Sequence, residues 1–128
     1  MSKSTVLLVE DEVLIRAILA DALIEEGYEV VEAGNVLQAV AALAGHPAFD
    51  FLITDVDMPG SLSGLDLAAM VSKVAPSTKV IVTSGRMVAP DLLSGYFLPK
   101  PYSINRIAEL LGEYTVSFDA RPKTVMAV

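Results

Sequence analysis

Acidic, hydroxyl and basic residues stand where the apolar runs of this chain stop. Glu10 and Asp11 follow Val6–Val9, Asp55 follows the Phe51–Ile53 run and Thr54, Thr83 follows Lys79–Val82, and Lys100 follows Tyr96–Leu98 and Pro99. Each run is short, apolar and rich in β-branched or aromatic residues, so each reads as a strand. In an open parallel sheet the carboxyl ends of the strands form the edge where ligands bind. Carboxylates gathered there repel one another and raise one another's pKa values. A hard divalent cation such as Mg²⁺ resolves that conflict, because it takes about six oxygens and keeps waters among them. A lysine and a hydroxyl beside the same carboxylate add an anion site, which suits a phosphoryl group carried on Asp55. Taken singly, each residue has a plainer reading. Glu10, Asp11 and Glu12 precede a helix, where acids are favoured; Asp55 can cap a turn, Thr83 can bond backbone, and Lys100 can be a solvated lysine. Their shared position at strand ends favours chemistry.

The elements that must position these residues are legible in the pattern. From Val13 to Ile24, apolar residues recur at helical spacing in two neighbouring stripes, Leu14–Ile18–Ala22 and Ile15–Leu19–Leu23, and Gly27 ends the helix. Tyr28–Glu32 alternates as an outer strand does. Asn35 and Gln38 form a capping-box-like pair for a helix with Val36, Leu37, Val40 and Leu43 on its apolar face. Gly60–Gly64 reads as a loop. Leu67, Ala68, Val71 and Val74 mark a further helix before Pro76, and Ser103 can cap a last one carrying Ile104, Ile107, Leu110 and Leu111. The pattern fades at Thr115, so residues 1–114 are expected to form one domain and 115–128 a flexible tail. Strands alternating with helices mean a parallel sheet covered on both faces. The crossover between Val82 and Tyr96 has only about a dozen residues, near the minimum for a parallel connection. Its helix, fourth in the expected order, should be shortened to one or two turns or be absent.

Bulk properties exclude several classes. The 128 residues are 53% hydrophobic with a mean hydropathy of +0.55, yet contain no cysteine. No apolar run approaches the ~18 residues of a membrane span, and Met1–Ser4 has no apolar segment behind it. Membrane insertion is therefore not expected, and a cytoplasmic location is. A net charge of −7 argues against nucleic acid as a direct partner.

On these residues the chain, over roughly Ser4 to Gly112, resembles the receiver domain of bacterial two-component response regulators. Met58-Pro59 after Asp55, and Lys100-Pro101, match as well. The resemblance implies a flavodoxin-like (βα)5 doubly wound parallel sheet of order 2-1-3-4-5. It implies Asp55 as phosphoacceptor and a Mg²⁺ ion, with Mn²⁺ as a substitute, held by Glu10, Asp11, Asp55 and the backbone carbonyl of Asp57. Thr83 becomes the switch hydroxyl, Phe97 the switch aromatic and Lys100 the partner of the phosphoryl group, with a cis Lys100-Pro101 bond. The donor would be a phosphohistidine of a sensor histidine kinase or histidine phosphotransfer protein. The response would be a changed surface near Arg86–Tyr102 read by an output protein. The expected molecule is thus a stand-alone switch rather than a turnover enzyme. This chain departs from the pattern in a Pro59–Gly64 loop one residue longer than usual, a shorter crossover before the fifth strand, and Phe97 in place of the commoner tyrosine. Two rivals remain. One is a haloacid-dehalogenase-like phosphatase using the Asp55/Asp57 pair, although that pair usually follows the first strand. The other is a receiver-like interaction module that is never phosphorylated.

Overall fold

The apolar runs pair as strands because burying them on both faces leaves their backbone groups only one another as partners. In the computed structural model, residues 3–46, 48–58, 60–85 and 95–119 are described, with side chains through Glu113. The elements are β1 (Thr5–Val9), α1 (Val13–Glu25), β2 (Glu29–Ala33), α2 (Val36–Gly45), β3 (Phe51–Asp55), α3 (Gly64–Val74), β4 (Lys79–Ser84), β5 (Tyr96–Pro99) and α4 (Ile104–Asp119). The strands form one parallel sheet in the order β2-β1-β3-β4-β5. This is the expected flavodoxin-like topology. The crossover from Arg86 to Ser94 lies outside the described residues, and with it the expectation of a shortened helix there. The α4 backbone remains helical past Thr115, where the apolar pattern fades. Among the described residues, no helix is long and apolar enough to cross a membrane.

Strand alternation divides the core in two. Val6, Leu8, Phe51, Ile53, Ile81 and Leu98 pack with Leu19 and Leu23 of α1 and Ile107, Leu110 and Leu111 of α4. Leu7, Val9, Leu52, Val80 and Val82 pack on the opposite face with Val36 and Ala39 of α2 and Leu67, Ala68 and Val71 of α3. Every residue of β3 is buried, whereas β2 is largely half-exposed, as its alternating sequence predicts.

The helix faces differ in part from the pattern. In α1 the buried stripe is Leu19 and Leu23 with Ile15 packed beside them, while Leu14 is 72% and Ile18 47% exposed. Leu37 of α2 and Val74 of α3 also face outward, at 79% and 70% exposure. Two stripes one residue apart have the same period, so periodicity alone does not choose the one that meets the sheet.

The helix ends follow the expected chemistry. Asn35 Oδ1 accepts from the Gln38 N–H at 2.8 Å, but the Gln38 side chain reaches the Gly34 N–H (2.6 Å) rather than that of Asn35. Ser103 Oγ accepts from the Arg106 N–H at 3.1 Å. At α3 a full capping box joins Ser63 and Asp66, which the reading of 60–64 as a plain loop overlooks.

Gly64 opens α3 directly beneath Asp55. A Cβ there would sit on the Asp55 carbonyl oxygen, deep inside van der Waals contact, and 2.9 Å from Thr54 Oγ1. Both neighbours belong to a buried strand and cannot swing aside. Gly64→Ala is expected to lower stability by about 1–3 kcal/mol. Gly45→Ala, at a helical glycine with open space around it, should be neutral or stabilising by up to ~1 kcal/mol. Urea midpoints of the two variants check this; equal midpoints would mean that α3 can lift off β3 at little cost.

Candidate functional site

Strand register assembles the edge. Asp55 pairs with Thr83 across β3–β4, and Thr83 pairs with Leu98 across β4–β5. Past each strand the hydrogen bonding continues by one residue. The Glu10 N–H donates to the Ala33 carbonyl (3.0 Å), the Val56 N–H to the Thr83 carbonyl (2.9 Å) and the Lys100 N–H to the Ser84 carbonyl (2.8 Å). Backbone alternation sets Glu10, Asp55, Thr83 and Lys100 on the same face as Leu8, Ile53, Ile81 and Leu98, beneath α1 and α4.

The side chains converge there. Lys100 Nζ lies 2.8 Å from Asp55 Oδ2 and 3.7 Å from Glu10 Oε1. Glu10, Asp11 and Asp55 each bring a carboxylate oxygen within 4.8 Å of the others. Asp55 and Glu10 are buried and Asp11 is exposed, so the cluster is open to solvent on one side. An all-oxygen donor set of this size, exposed at one corner, fits a hard divalent cation that retains waters. The Asp57 N–H donates to Asp55 Oδ1 at 3.2 Å, which brings the main chain of Asp57 beside the Asp55 carboxylate. Thr83 is buried at the end of β4. Phe97 is half-buried in β5, on the face opposite Leu98. The Lys100-Pro101 peptide is cis, as the resemblance implies.

The charges perturb one another in consistent directions. Burial pushes the Glu10 carboxyl above its ordinary range and the nearby Asp55 charge adds to that, against the Glu12 N–H bond and Lys100, which pull it down. Burial works to lower Lys100, but its bond to Asp55 and the charges of Asp55 and Glu10 outweigh burial and raise it. The phenol of Tyr102 is raised by burial first and then by the Glu10 carboxylate.

The structure adds residues that the sequence pattern does not single out. Arg16, one turn into α1, donates from Nη1 to the Glu10 carbonyl at 2.7 Å. An open cavity of about 610 Å³ beside Lys100 is lined by Glu12, Ile15, Ile18, Leu19, Tyr102 and Ile104, among others. Ile18 looks exposed by mischance until this cavity gives it a place. The Asp55–Asp57 pair follows the third strand rather than the first, unlike the usual position in the phosphatase rival.

Known proteins carry the same architecture. The family model described as the response regulator receiver domain matches residues 6–111. The transcriptional regulatory protein PdtaR of Mycobacterium tuberculosis is 41% identical over 106 residues, covering 78% of this chain and 51% of its own length. The DNA-binding transcriptional regulator NtrC of Azospirillum brasilense is 32% identical over 117 residues, covering 87% of this chain and 24% of its own. The chain thus spans about half the length of the first of these relatives and about a quarter of the second. Among solved structures, TrrA of Thermotoga maritima in complex with Mg(2+)-BeF superimposes with a TM-score of 0.75 at 29% identity, over 86% of this chain and 97% of that one. The chemotaxis protein CheY4 of Vibrio cholerae shares the fold, with a TM-score of 0.76 at 24% identity over 88% and 98% of the two chains. With the family model covering residues 6–111 and the sheet in the order β2-β1-β3-β4-β5, the chain belongs to the response regulator receiver domains of two-component signalling.

Proposed function

We propose that this chain is a cytoplasmic receiver that takes a phosphoryl group from a phosphohistidine onto Asp55 and signals by a changed surface. The observation that carries the reading is the Asp55 carboxylate held 2.8 Å from Lys100 and grouped with Glu10 and Asp11. Lys100 orients Asp55 Oδ2 before the reaction, and the Asp57 N–H steadies Oδ1. A carboxylate oxygen of Asp55 attacks phosphorus as the bond from phosphorus to the donor imidazole breaks, and the departing ring nitrogen keeps the electron pair. Lys100 then pairs with the new phosphoryl oxygens, and the Thr83 hydroxyl donates to one of them, drawing its loop inward while Phe97 shifts. Glu10, Asp11, Asp55 and the Asp57 carbonyl would hold Mg²⁺ or Mn²⁺, which when bound supplies positive charge to the phosphoryl oxygens. The donor is a sensor histidine kinase or histidine phosphotransfer protein. The partner that reads the output is a protein, with no direct nucleic-acid contact.

The acceptor is tested by mass. Incubation with a small phosphodonor and Mg²⁺ should add one phosphoryl mass to the wild type and none to Asp55→Asn. Asp57→Asn should still be labelled, because a backbone carbonyl is kept by any side chain. The phosphatase reading requires instead that wild type turn over ordinary phosphate monoesters and that Asp57→Asn lose about 10²–10⁴ of that turnover. Seeing that turnover and that loss would make the switch reading wrong.

The cation is tested by stability. Millimolar Mg²⁺ should raise the unfolding midpoint of wild type, since a ligand of the native state adds RT ln(1 + [L]/Kd), and should leave Asp11→Ala nearly unmoved. In metal-free buffer Glu10→Gln should raise the midpoint by about 3 °C. It removes a buried like charge beside Asp55 while keeping an acceptor for the Glu12 N–H. A lower midpoint for Glu10→Gln would mean that the attraction to Lys100 outweighs both burial and repulsion.

The apolar cavity beside the acceptor supports docking by a helical donor. Ile18→Lys should slow transfer from a phosphohistidine protein about tenfold and leave labelling by a small phosphodonor unchanged. Equal slowing of both reactions would place the effect in the acceptor site rather than in docking.

A further inference from the structure

We propose that Arg16 positions the acidic pair for cation binding, although it touches none of the three carboxylates that would hold the ion. The proposal rests on the receiver reading of that cluster. Glu10 sits one residue past the last residue pair of β1 and β2, and a side chain there is only as well placed as its backbone. Its N–H is taken by the Ala33 carbonyl at 3.0 Å. One carboxylate oxygen, Oε2, accepts from the Glu12 N–H at 3.1 Å. The Glu10 carbonyl is held by Arg16 Nη1 at 2.7 Å. With these three atoms fixed, Oε1 is the oxygen that faces Lys100.

Arg16 is itself held from both ends. Its Nε lies 3.3 Å from Glu32 Oε1 on β2, and its own N–H closes the first turn of α1 onto the Glu12 carbonyl at 2.9 Å. Gly34 leaves room for the guanidinium: a Cβ there would lie 3.1 Å from Nη1. The side chain is only 19% exposed. One planar fork therefore ties β2, the start of α1 and the end of β1 together at the residue that begins the acidic pair. Lysine, with one ammonium on a flexible stem, cannot reproduce bonds to two separate acceptors from one rigid plane.

Charge and positioning make opposite predictions, which allows a clean test. As a nearby cation, Arg16 repels Mg²⁺, so its removal would tighten binding. As a positioning residue, its removal weakens binding, on the scale of about tenfold known for partners that orient metal ligands. The experiment is calorimetric titration with Mg²⁺ alone of wild type, Arg16→Lys, Arg16→Met and Asp11→Ala, each checked for a folded circular-dichroism spectrum. Both Arg16 variants should bind about tenfold more weakly than wild type. Unchanged or tighter binding by Arg16→Met overturns the proposal, because a merely structural arginine would lower the unfolding midpoint and leave Mg²⁺ affinity where it was. If wild type itself binds no Mg²⁺, the cation reading falls and this proposal with it; if wild type binds and the Arg16 variants match it, only this proposal falls. Should either Arg16 variant fail to fold, Glu32→Ala removes the acceptor that holds the same guanidinium at its half-exposed end. Binding about tenfold weaker with a nearly unchanged unfolding midpoint supports positioning, and unchanged affinity refutes it.

Discussion

A lysine ammonium 2.8 Å from Asp55 Oδ2 makes the acidic edge tolerable. Glu10 and Asp55 are buried, Asp11 adds a third carboxylate, and their oxygens lie within 4.8 Å of one another. Without a cation such a group would expel a charge or take up a proton. Among the described residues Lys100 is the cation paired directly with these carboxylates, and attraction to Asp55 and Glu10 outweighs burial and raises its pKa. The placement of β5 follows from this need. It is a four-residue edge strand with one fully buried side chain, so it adds little to the core. Its pairing to β4 delivers the residue after Pro99 to Asp55.

Much of this was legible in the sequence, because strand polarity does most of the work. Once five apolar runs are read as parallel strands, every residue that follows one stands at the same edge, and Glu10, Asp55, Thr83 and Lys100 need no further information to be grouped. Helix orientation was less legible. Leu14–Ile18 and Ile15–Leu19 have equal periodicity, and the sheet surface chooses between them. The choice leaves Ile18 beside a cavity next to Lys100 rather than in the core. The capping box at Ser63 and Asp66 was written in the chain as Ser-x-x-Asp, but the glycines around it favoured a loop reading. Arg16 carries no local signal at all. Its partners, the Glu10 carbonyl and the Glu32 carboxylate, are defined only when β2 lies beside β1.

The backbone bonds past the strand ends explain how Glu10 and Lys100, which lie beyond their strands, acquire the precision of a sheet. Glu10, Val56 and Lys100 each donate an N–H to the last or next-to-last residue of a neighbouring strand. The site is therefore an extension of the ladder by one rung, and its side chains inherit the register of the core. Gly64 presses the start of α3 against the Asp55 carbonyl from the other face, so Asp55 is confined from both sides.

That confinement bears on where a switch can move. β3 is buried along its whole length and paired on both sides, and closely packed interiors respond to strain by discrete rearrangement rather than by gradual deformation. A phosphoryl group on Asp55 would add bulk and charge to a residue that cannot retreat. The displacement has to be taken up by whatever is least tightly held around it. Among the described elements that is β5, which pairs on one side only and leaves Phe97 half-buried and Tyr96 near the surface. Tyr96 accepts from Arg106 Nη2 at 3.1 Å, and Arg106 also reaches Glu109 and Glu113 of α4. Movement of β5 would thus be felt along the exposed face of α4. On the receiver reading, the rigidity of β3 would direct the signal outward to that edge.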